Sequence, residues 1–385
     1  MSTPAVRWDG GASFETPSFE FDPDFVAPGP EANDAPGVRA LYLDGPPWRG
    51  RPTRVFAWYG VPDVPAGTRV PGMVLVHGGG GTAFADWVRL WNDRGYAAIS
   101  MDTCGCTAGG KHGERPRHDA GGPPGWGGFD QIDESPEDQW MFHAVASALV
   151  AHSFLRSRDE VDSDRIGLTG ISWGGIIASI VAGVDARLRL VVPVYGAGRV
   201  ALHNGFAERE KTNGDGARRW VELWDPSNYL PEAAMPMLWL TGTNDFAFPL
   251  SAVQESSRQT KGEATLSFLL RMPHGQGDGA WPEEIRIFAD HHLRGCAPLA
   301  DIAPPTVTDG RVAAACRSEV IPREMRLLYT RDDGPWLERA WHVAPAERDW
   351  PLTRITAVVP DGARMCFVNL VDARGMTVSS EYIEL

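Results

Sequence analysis

Six short apolar runs, separated by segments with helical spacing, limit the folds open to this chain more than any other feature of its sequence. Met73–His77 and Ala97–Met101 have the character of strands that are buried on both faces of a sheet. Strands that alternate with helices predict a mostly parallel sheet covered on both faces. The other predicted strands are Arg165–Thr169, Leu188–Tyr195, Met237–Thr241 and Ala264–Arg271. The predicted helices are Phe84–Asn92, a long one that opens at Ser135-Pro136 and continues through Leu149, Gly174–Ala182 and Pro282–Leu293.

The pattern changes towards the end of the chain, and the length of 385 residues suits two domains. Beyond Ala297 only strand-like segments occur, with turn residues between them, and Pro304-Pro305 suits a linker. The predicted divisions are an irregular lead-in at 1–37, an α/β domain at 38–297 and an all-β, sandwich-like domain at 300–385.

Charge and composition exclude several classes of partner. The chain has 36 Lys and Arg against 50 Asp and Glu, a net charge of −14, which argues against a nucleic-acid partner. It has neither a long apolar run nor a basic, apolar leader, so we expect no membrane partner and no export signal. The 5 cysteines at irregular spacing fit reduced thiols in a cytoplasm. Nothing in the sequence indicates an oligomeric state.

The segment Gly170-Ile-Ser-Trp-Gly-Gly175 lies between a predicted strand and a predicted helix. In that context a G-x-S-x-G sequence is typical of a sharp turn that exposes a serine hydroxyl at the end of a sheet strand. The turn also points the positive end of the following helix at the serine. The alternative is an ordinary glycine-rich turn; the context favours Ser172 as a nucleophile.

A serine hydroxyl needs a base to take its proton, and two further loops carry suitable residues. Asp245 and His274 each come just after a predicted strand, in the chain order Ser, acid, His that this fold class uses. The carboxyl ends of parallel strands meet at one edge, so we expect the three side chains to converge. Asp225 and Asp102 are rival acids, but neither lies on the loop directly before the strand that leads to His274.

The run His77-Gly-Gly-Gly-Gly81 directly follows a predicted strand. Glycines let backbone N–H groups turn towards the oxyanion of a tetrahedral intermediate. We assign Gly79 and Gly80, to within one position, and the N–H of Trp173 as the oxyanion donors, with His77 as a structural brace. The run is not a phosphate-binding loop, because no Lys-Ser/Thr follows it.

These motifs resemble α/β-hydrolases of the acetylxylan esterase and dienelactone hydrolase type, which are related to the catalytic domain of prolyl oligopeptidases. The resemblance spans roughly 54–295 and implies a serine esterase with Ser172, Asp245 and His274 as its triad. No β-propeller precedes the domain, and the nucleophile is Ser where dienelactone hydrolases typically have Cys; both departures favour an esterase. The C-terminal β domain is an addition to the simplest members. The motifs that carry the resemblance are Arg54–Trp58, Leu75–Gly81, Gly170–Gly175, Gly242–Asp245 and Met272–Gly275.

Two insertions are placed to shape a substrate pocket. Residues 103–134 leave the carboxyl end of a strand and have little regular pattern, and 199–234 occupy the usual position of a lid. We expect Trp126, Trp220 and Trp224 to be candidate pocket residues, although packing in the core is the alternative for each.

The sequence therefore predicts an enzyme that hydrolyses an acetyl or other short acyl ester, including one carried on a carbohydrate, through an acyl-enzyme. A serine peptidase of the prolyl-oligopeptidase type and a non-catalytic binding protein with a hydrolase fold are the alternatives. No cofactor is predicted. No metal is predicted either, because Cys104-Gly-Cys106 lacks a second pair of ligands.

Overall fold

A mostly parallel sheet forms the centre of the computed structural model, which describes residues 6, 8, 11–29, 34–203, 205–349 and 353–385. Its first nine strands among these residues are β1 Phe19–Asp22, β2 Val38–Trp48, β3 Arg51–Gly60, β4 Val70–Val76, β5 Ala97–Met101, β6 Val161–Ile171, β7 Leu190–Val194, β8 Met237–Gly242 and β9 Ala264–Leu269. They lie in the order β1-β2-β3-β5-β4-β6-β7-β8-β9. Strands β5, β4, β6, β7, β8 and β9 pair with one another in parallel, in that order. Strands β1, β2 and β3 are antiparallel to their neighbours.

The continuous apolar runs are strands buried on both faces. Every residue of β4, β5, β7 and β8 is buried. The bounds of β5 are those predicted, whereas β6 begins at Val161 and extends beyond the predicted strand at both ends. Burial on both faces explains why these strands are apolar throughout rather than at alternate positions.

Seven α-helices flank the sheet in the described part of the chain, in agreement with the predicted fold class. Helices α2 and α3 pack against each other and against β6. Helix α1 packs against β5, and Arg94 after it forms an ion pair of 2.7 Å with Glu283 of α7. The helices are α1 Ala85–Asp93, α2 Trp140–Arg156, α3 Trp173–Val184, α4 Phe206–Trp224, α5 Leu250–Ser257, α6 Gln276–Ala280 and α7 Glu283–Arg294.

The long helix starts later than predicted. Pro136–Asp138 form a short 3-10 turn, Gln139 is extended, and α2 begins at Trp140. The Ser135 hydroxyl donates to the Asp138 carboxylate rather than capping the helix. The backbone N–H of Trp140 donates instead to Oε1 of Gln131 at 2.6 Å, so a side chain from the preceding loop satisfies the start of the helix.

The predicted lead-in contains regular structure. Phe19–Asp22 forms strand β1 and pairs with β2 at the edge of the sheet, with Phe19 opposite Leu43. The segment 1–37 is rich in proline, glycine and aspartate, and this composition conceals the short strand. Residues 1–5, 7, 9–10 and 30–33 of the segment lie outside the described residues.

The C-terminal region is all-β, as predicted, and part of it continues the central sheet. Strand β18 pairs with β9 through Ser379 and Leu266, and β17, β13 and β14 follow outwards. A second sheet has the order β10-β12-β16-β15, with β11 beside β12. The strands are β10 Asp301–Ile302, β11 Thr306–Thr308, β12 Arg311–Arg317, β13 Pro322–Thr330, β14 Trp341–Pro345, β15 Glu347–Arg348, β16 Arg354–Val358, β17 Met365–Asp372, β18 Thr377–Ser379 and β19 Ile383–Glu384.

Candidate active site

Ser172 occupies a strained turn between β6 and α3. Its φ of 59° and ψ of −118° are unusual for a residue with a side chain, and such strain is typical of functional turns. The turn closes because Gly174 has no side chain: a Cβ there would lie 2.1 Å from the carbonyl oxygen of Val76. The hydroxyl of Ser172 consequently stands at the carboxyl end of the sheet, in front of the N-terminus of α3.

His274 and Asp245 lie beside this serine. Nε2 of His274 is 2.9 Å from Oγ of Ser172, and Nδ1 of His274 is 2.6 Å from Oδ2 of Asp245. The other carboxylate oxygen of Asp245 accepts hydrogen bonds from the backbone N–H groups of Ala247 and Phe248. The three predicted side chains, which leave β6, β8 and β9, are thus joined in one hydrogen-bonded chain.

Aromatic rings enclose the imidazole. The ring centroids of Tyr195 and Phe246 lie 4.2 Å and 4.5 Å from that of His274, and Phe248 lies parallel to it at 6.1 Å. The Tyr195 hydroxyl donates to the carbonyl oxygen of Gly275. These contacts restrict the movement of the histidine loop. Sequence reasoning missed them, and the only available signal was the position of Tyr195 at the end of a predicted strand.

The glycine run after β4 forms one wall of the site. His77 is fully buried, its Nδ1 lies 2.7 Å from the carbonyl oxygen of Gly78, and its Nε2 accepts a hydrogen bond from the N–H of Thr103. Burial lowers the pKa of His77 to about 4, so the ring is neutral and acts as a brace, as predicted. Gly79 lines the cavity, whereas a Cβ on Gly80 would meet the ring of His112.

The assignment of Gly80 as an oxyanion donor stays a prediction. Gly80 does not line the cavity, and its carbonyl oxygen accepts from the N–H of Gly113 in the long insertion. Gly79 and Trp173 both line the cavity. Trp173 is the first residue of α3, so its N–H has no acceptor within the helix.

A cavity of about 580 Å³ opens above the serine, within the range of small-molecule sites. Both insertions contribute to it: His112 and Trp126 come from the first, and Phe206 and Arg209 from the second. None of the described residues that line it carries a carboxylate. The lining includes Phe84, Trp126, Phe129, Trp173, Phe206, Phe246 and Phe248.

The three candidate tryptophans differ in position. Trp126 lines the cavity and is 45% exposed. Trp220 and Trp224 are fully buried and do not line it, so the prediction was wrong for both. Nε1 of Trp220 donates to the carbonyl oxygen of Gly127, and Trp220 stacks on Phe129, which does line the cavity. Trp220 therefore supports the wall from behind.

The rival acids have structural partners. Asp225 accepts hydrogen bonds from the N–H groups of Arg199, Val200 and Ser227. Oδ1 of Asp102 accepts from the N–H groups of Cys104 and Cys106. Desolvation by burial raises the pKa of Asp102 to about 7, and neither carboxylate bonds to His274.

The described residues include neither a cluster suited to a metal ion nor a helix suited to spanning a membrane. They contain no group of three or more His, Cys, Asp or Glu side chains that could hold a metal ion. None of their helices combines the length and the apolar character that crossing a bilayer requires.

The chain is similar to known acetyl xylan esterases in sequence and in fold. Residues 39–197 match the model of the acetyl xylan esterase family (AXE1). The acetyl xylan esterase from Paenibacillus sp. R4 has a TM-score of 0.56 at 21% identity, with 72% of this chain and 89% of that chain covered. Acetyl xylan esterase 1 from Thermoanaerobacterium sp. JW/SL YS485 has a TM-score of 0.51 at 18% identity, with 67% and 83% covered. No curated protein matches the chain.

At these identities the structural likeness establishes the fold, which is that of an α/β-hydrolase. The predicted resemblance is confirmed. The family match, taken with this fold, classes the chain as a carboxylic ester hydrolase.

Proposed function

We propose that this α/β-hydrolase is a serine esterase that cleaves acetyl or other short acyl esters through a covalent acyl-enzyme. The observation that carries the proposal is the hydrogen-bonded chain from Asp245 through His274 to Ser172, which opens into the cavity. A binding protein has no need of a strained serine turn backed by such a chain.

In the first half of the reaction Nε2 of His274 takes the proton of Ser172, and Oγ attacks the ester carbonyl carbon. Asp245 keeps the proton of His274 on Nδ1 and stabilises the imidazolium. The N–H groups of Gly79 and Trp173 donate to the oxyanion; one such donor contributes about 10²–10³-fold to kcat. His274 then protonates the leaving alcohol.

In the second half a water molecule replaces the alcohol. His274 takes a proton from this water, which attacks the acyl carbon, and the collapse of the second tetrahedral intermediate releases the acid and restores Ser172.

We further propose that the ester is carried on a sugar. The cavity has room for a leaving group larger than the acetyl group, and Trp126 presents a partly exposed ring at its wall. Two solved structures that share the fold are named as acetyl xylan esterases, and acetyl xylan is an ester carried on a sugar. A peptidase that holds a free amino group is less well supported, because the described residues of the lining include Arg209 and no carboxylate.

The first experiment measures hydrolysis of p-nitrophenyl acetate, butyrate and octanoate by the wild type and by Ser172→Ala. We expect the rate to fall with acyl length and Ser172→Ala to lose activity by at least about 10³-fold. A fluorophosphonate should label the wild type and leave Ser172→Ala unlabelled. An unlabelled wild type without esterase activity would refute the proposal.

The second experiment compares acetylated xylo-oligosaccharides with an aminoacyl p-nitroanilide. Release of acetate from the sugar supports the proposed leaving group. Faster cleavage of the anilide would make the chain a peptidase instead.

A further inference from the structure

Asn244, which precedes Asp245 in the chain, forms hydrogen bonds with the C-terminal β region. Nδ2 of Asn244 donates to the backbone carbonyl oxygens of Arg339, Leu337 and Trp336, at 2.8, 3.1 and 3.3 Å. Its two N–H bonds are shared among three acceptors, so this amide is anchored to one turn. The turn lies more than ninety positions away in the chain and belongs to none of the motifs that define the site.

The other end of the same amide joins the loop that carries the histidine. Oδ1 of Asn244 accepts from the hydroxyl of Thr243, and that hydroxyl oxygen accepts from the backbone N–H of Arg271. Arg271 precedes His274 by a few residues and has a φ of 52°. One continuous set of hydrogen bonds therefore links the loop that carries His274 (the histidine loop), the loop that carries Asp245 (the Asp245 loop) and the turn at 336–339 (the C-terminal turn).

The C-terminal turn is itself held in place. The guanidinium of Arg339 stacks on the ring of Trp336 at 3.9 Å, and its Nε donates to the carbonyl oxygen of Gly334. The backbone N–H of Ala340 donates to Asp332 at 2.6 Å. These contacts within 332–340 stabilise the conformation of the turn.

The same region also holds the strand that leads to His274. In β9, the N–H of Phe268 donates to Oγ of Ser379, and its carbonyl oxygen accepts from Nδ2 of Asn369. The C-terminal region therefore contacts β9, which leads to His274, and the loop after β8, which carries Asp245.

We infer that Asn244 is a positioning residue, and that the turn at 336–339 holds the Asp245 loop through it in register with His274. The inference rests on the proposed function. It assigns the C-terminal β region a part in the reaction, beyond that of covering apolar surface. A carboxylate that drifts by about 1 Å no longer orients the imidazole, and misplacement of that size costs about 10²-fold in rate.

The test uses the full chain and p-nitrophenyl acetate. Asn244→Ala removes the anchor, and we expect kcat to fall by at least tenfold with KM within twofold of the wild type. Asn244→Asp keeps the shape but turns an anionic oxygen towards three carbonyl oxygens, so its kcat should be as low or lower. Thr243→Val, which cuts the link to Arg271, is the second variant if Asn244→Ala does not fold, and the same fall in kcat is expected.

Gln254→Ala is the matched control. Gln254 of α5 exchanges two hydrogen bonds with the backbone of Tyr382, so its loss weakens the attachment of the C-terminal region away from the acid. We expect this variant to lower Tm and to keep kcat within twofold.

The outcomes are distinct. A folded Asn244→Ala with the kcat of the wild type overturns the positioning role, and so does an equal loss of kcat in Gln254→Ala. A wild type that hydrolyses no ester and takes no fluorophosphonate refutes the proposed function instead.

Discussion

Replacement of Gly174 by alanine tests how closely α3 must approach β4 for the site to form. A Cβ on Gly174 would lie 2.1 Å from the carbonyl oxygen of Val76 and 2.7 Å from that of His77. Close carbon–oxygen contacts in proteins fall at about 3.3 Å or more, so the start of α3 would have to move by about 1 Å.

That movement would carry the hydroxyl of Ser172 away from Nε2 of His274 and would displace the N–H of Trp173. A displacement of this size is expected to lower kcat/KM by about 10²-fold. Crowding of a packed interior costs about 1–3 kcal/mol in the free energy of unfolding. We therefore expect a folded protein whose Tm falls by several degrees and whose activity falls far more.

The assay is kcat/KM for p-nitrophenyl acetate together with Tm from thermal unfolding. Gly334→Ala is the control, because a Cβ there meets no atom within 4 Å. It should leave both quantities close to those of the wild type. A Gly174→Ala protein with full activity would show that the turn tolerates a side chain, and the reasoning from close approach would be wrong.

Three further predictions concern groups around the site. Asp102 has a pKa of about 7 in the folded protein, above its value of 3.8 in the unfolded chain, so its contribution to stability is present at low pH and is lost as the pH rises to 7. We expect the free energy of unfolding of Asp102→Asn, measured in urea relative to that of the wild type, to rise by up to about 4 kcal/mol between pH 4 and pH 8. The same difference between the two proteins at both pH values would contradict this prediction. Trp126→Ala should raise KM for an acetylated sugar at unchanged Tm, and Trp220→Phe, which loses the bond to Gly127, should lower Tm. A raised KM at unchanged Tm in Trp220→Phe, with no change of KM in Trp126→Ala, would place Trp220 in the pocket.

Local patterns in the sequence were sufficient to predict the fold and the meeting of the three site residues. Burial on both faces demands apolar strands, so the runs that became β4 and β5 were visible directly. A sharp turn demands glycines, which made the position of Ser172 visible. Because parallel strands share one edge, Asp245 and His274 could be expected beside it.

Only the tertiary structure decided which of several similar side chains does what. Trp126 reaches the cavity while Trp220 and Trp224 are buried, because the latter two donate to Gly127 and Gln139, which lie in distant segments. The late start of α2 likewise depends on Gln131.

The anchor of Asn244 has the same origin. Its amide is bonded to a turn of the C-terminal region, and no local pattern records which carbonyl oxygens will lie opposite a side chain after folding. Periodicity reports whether a residue faces the interior, whereas its partner depends on how separate segments pack.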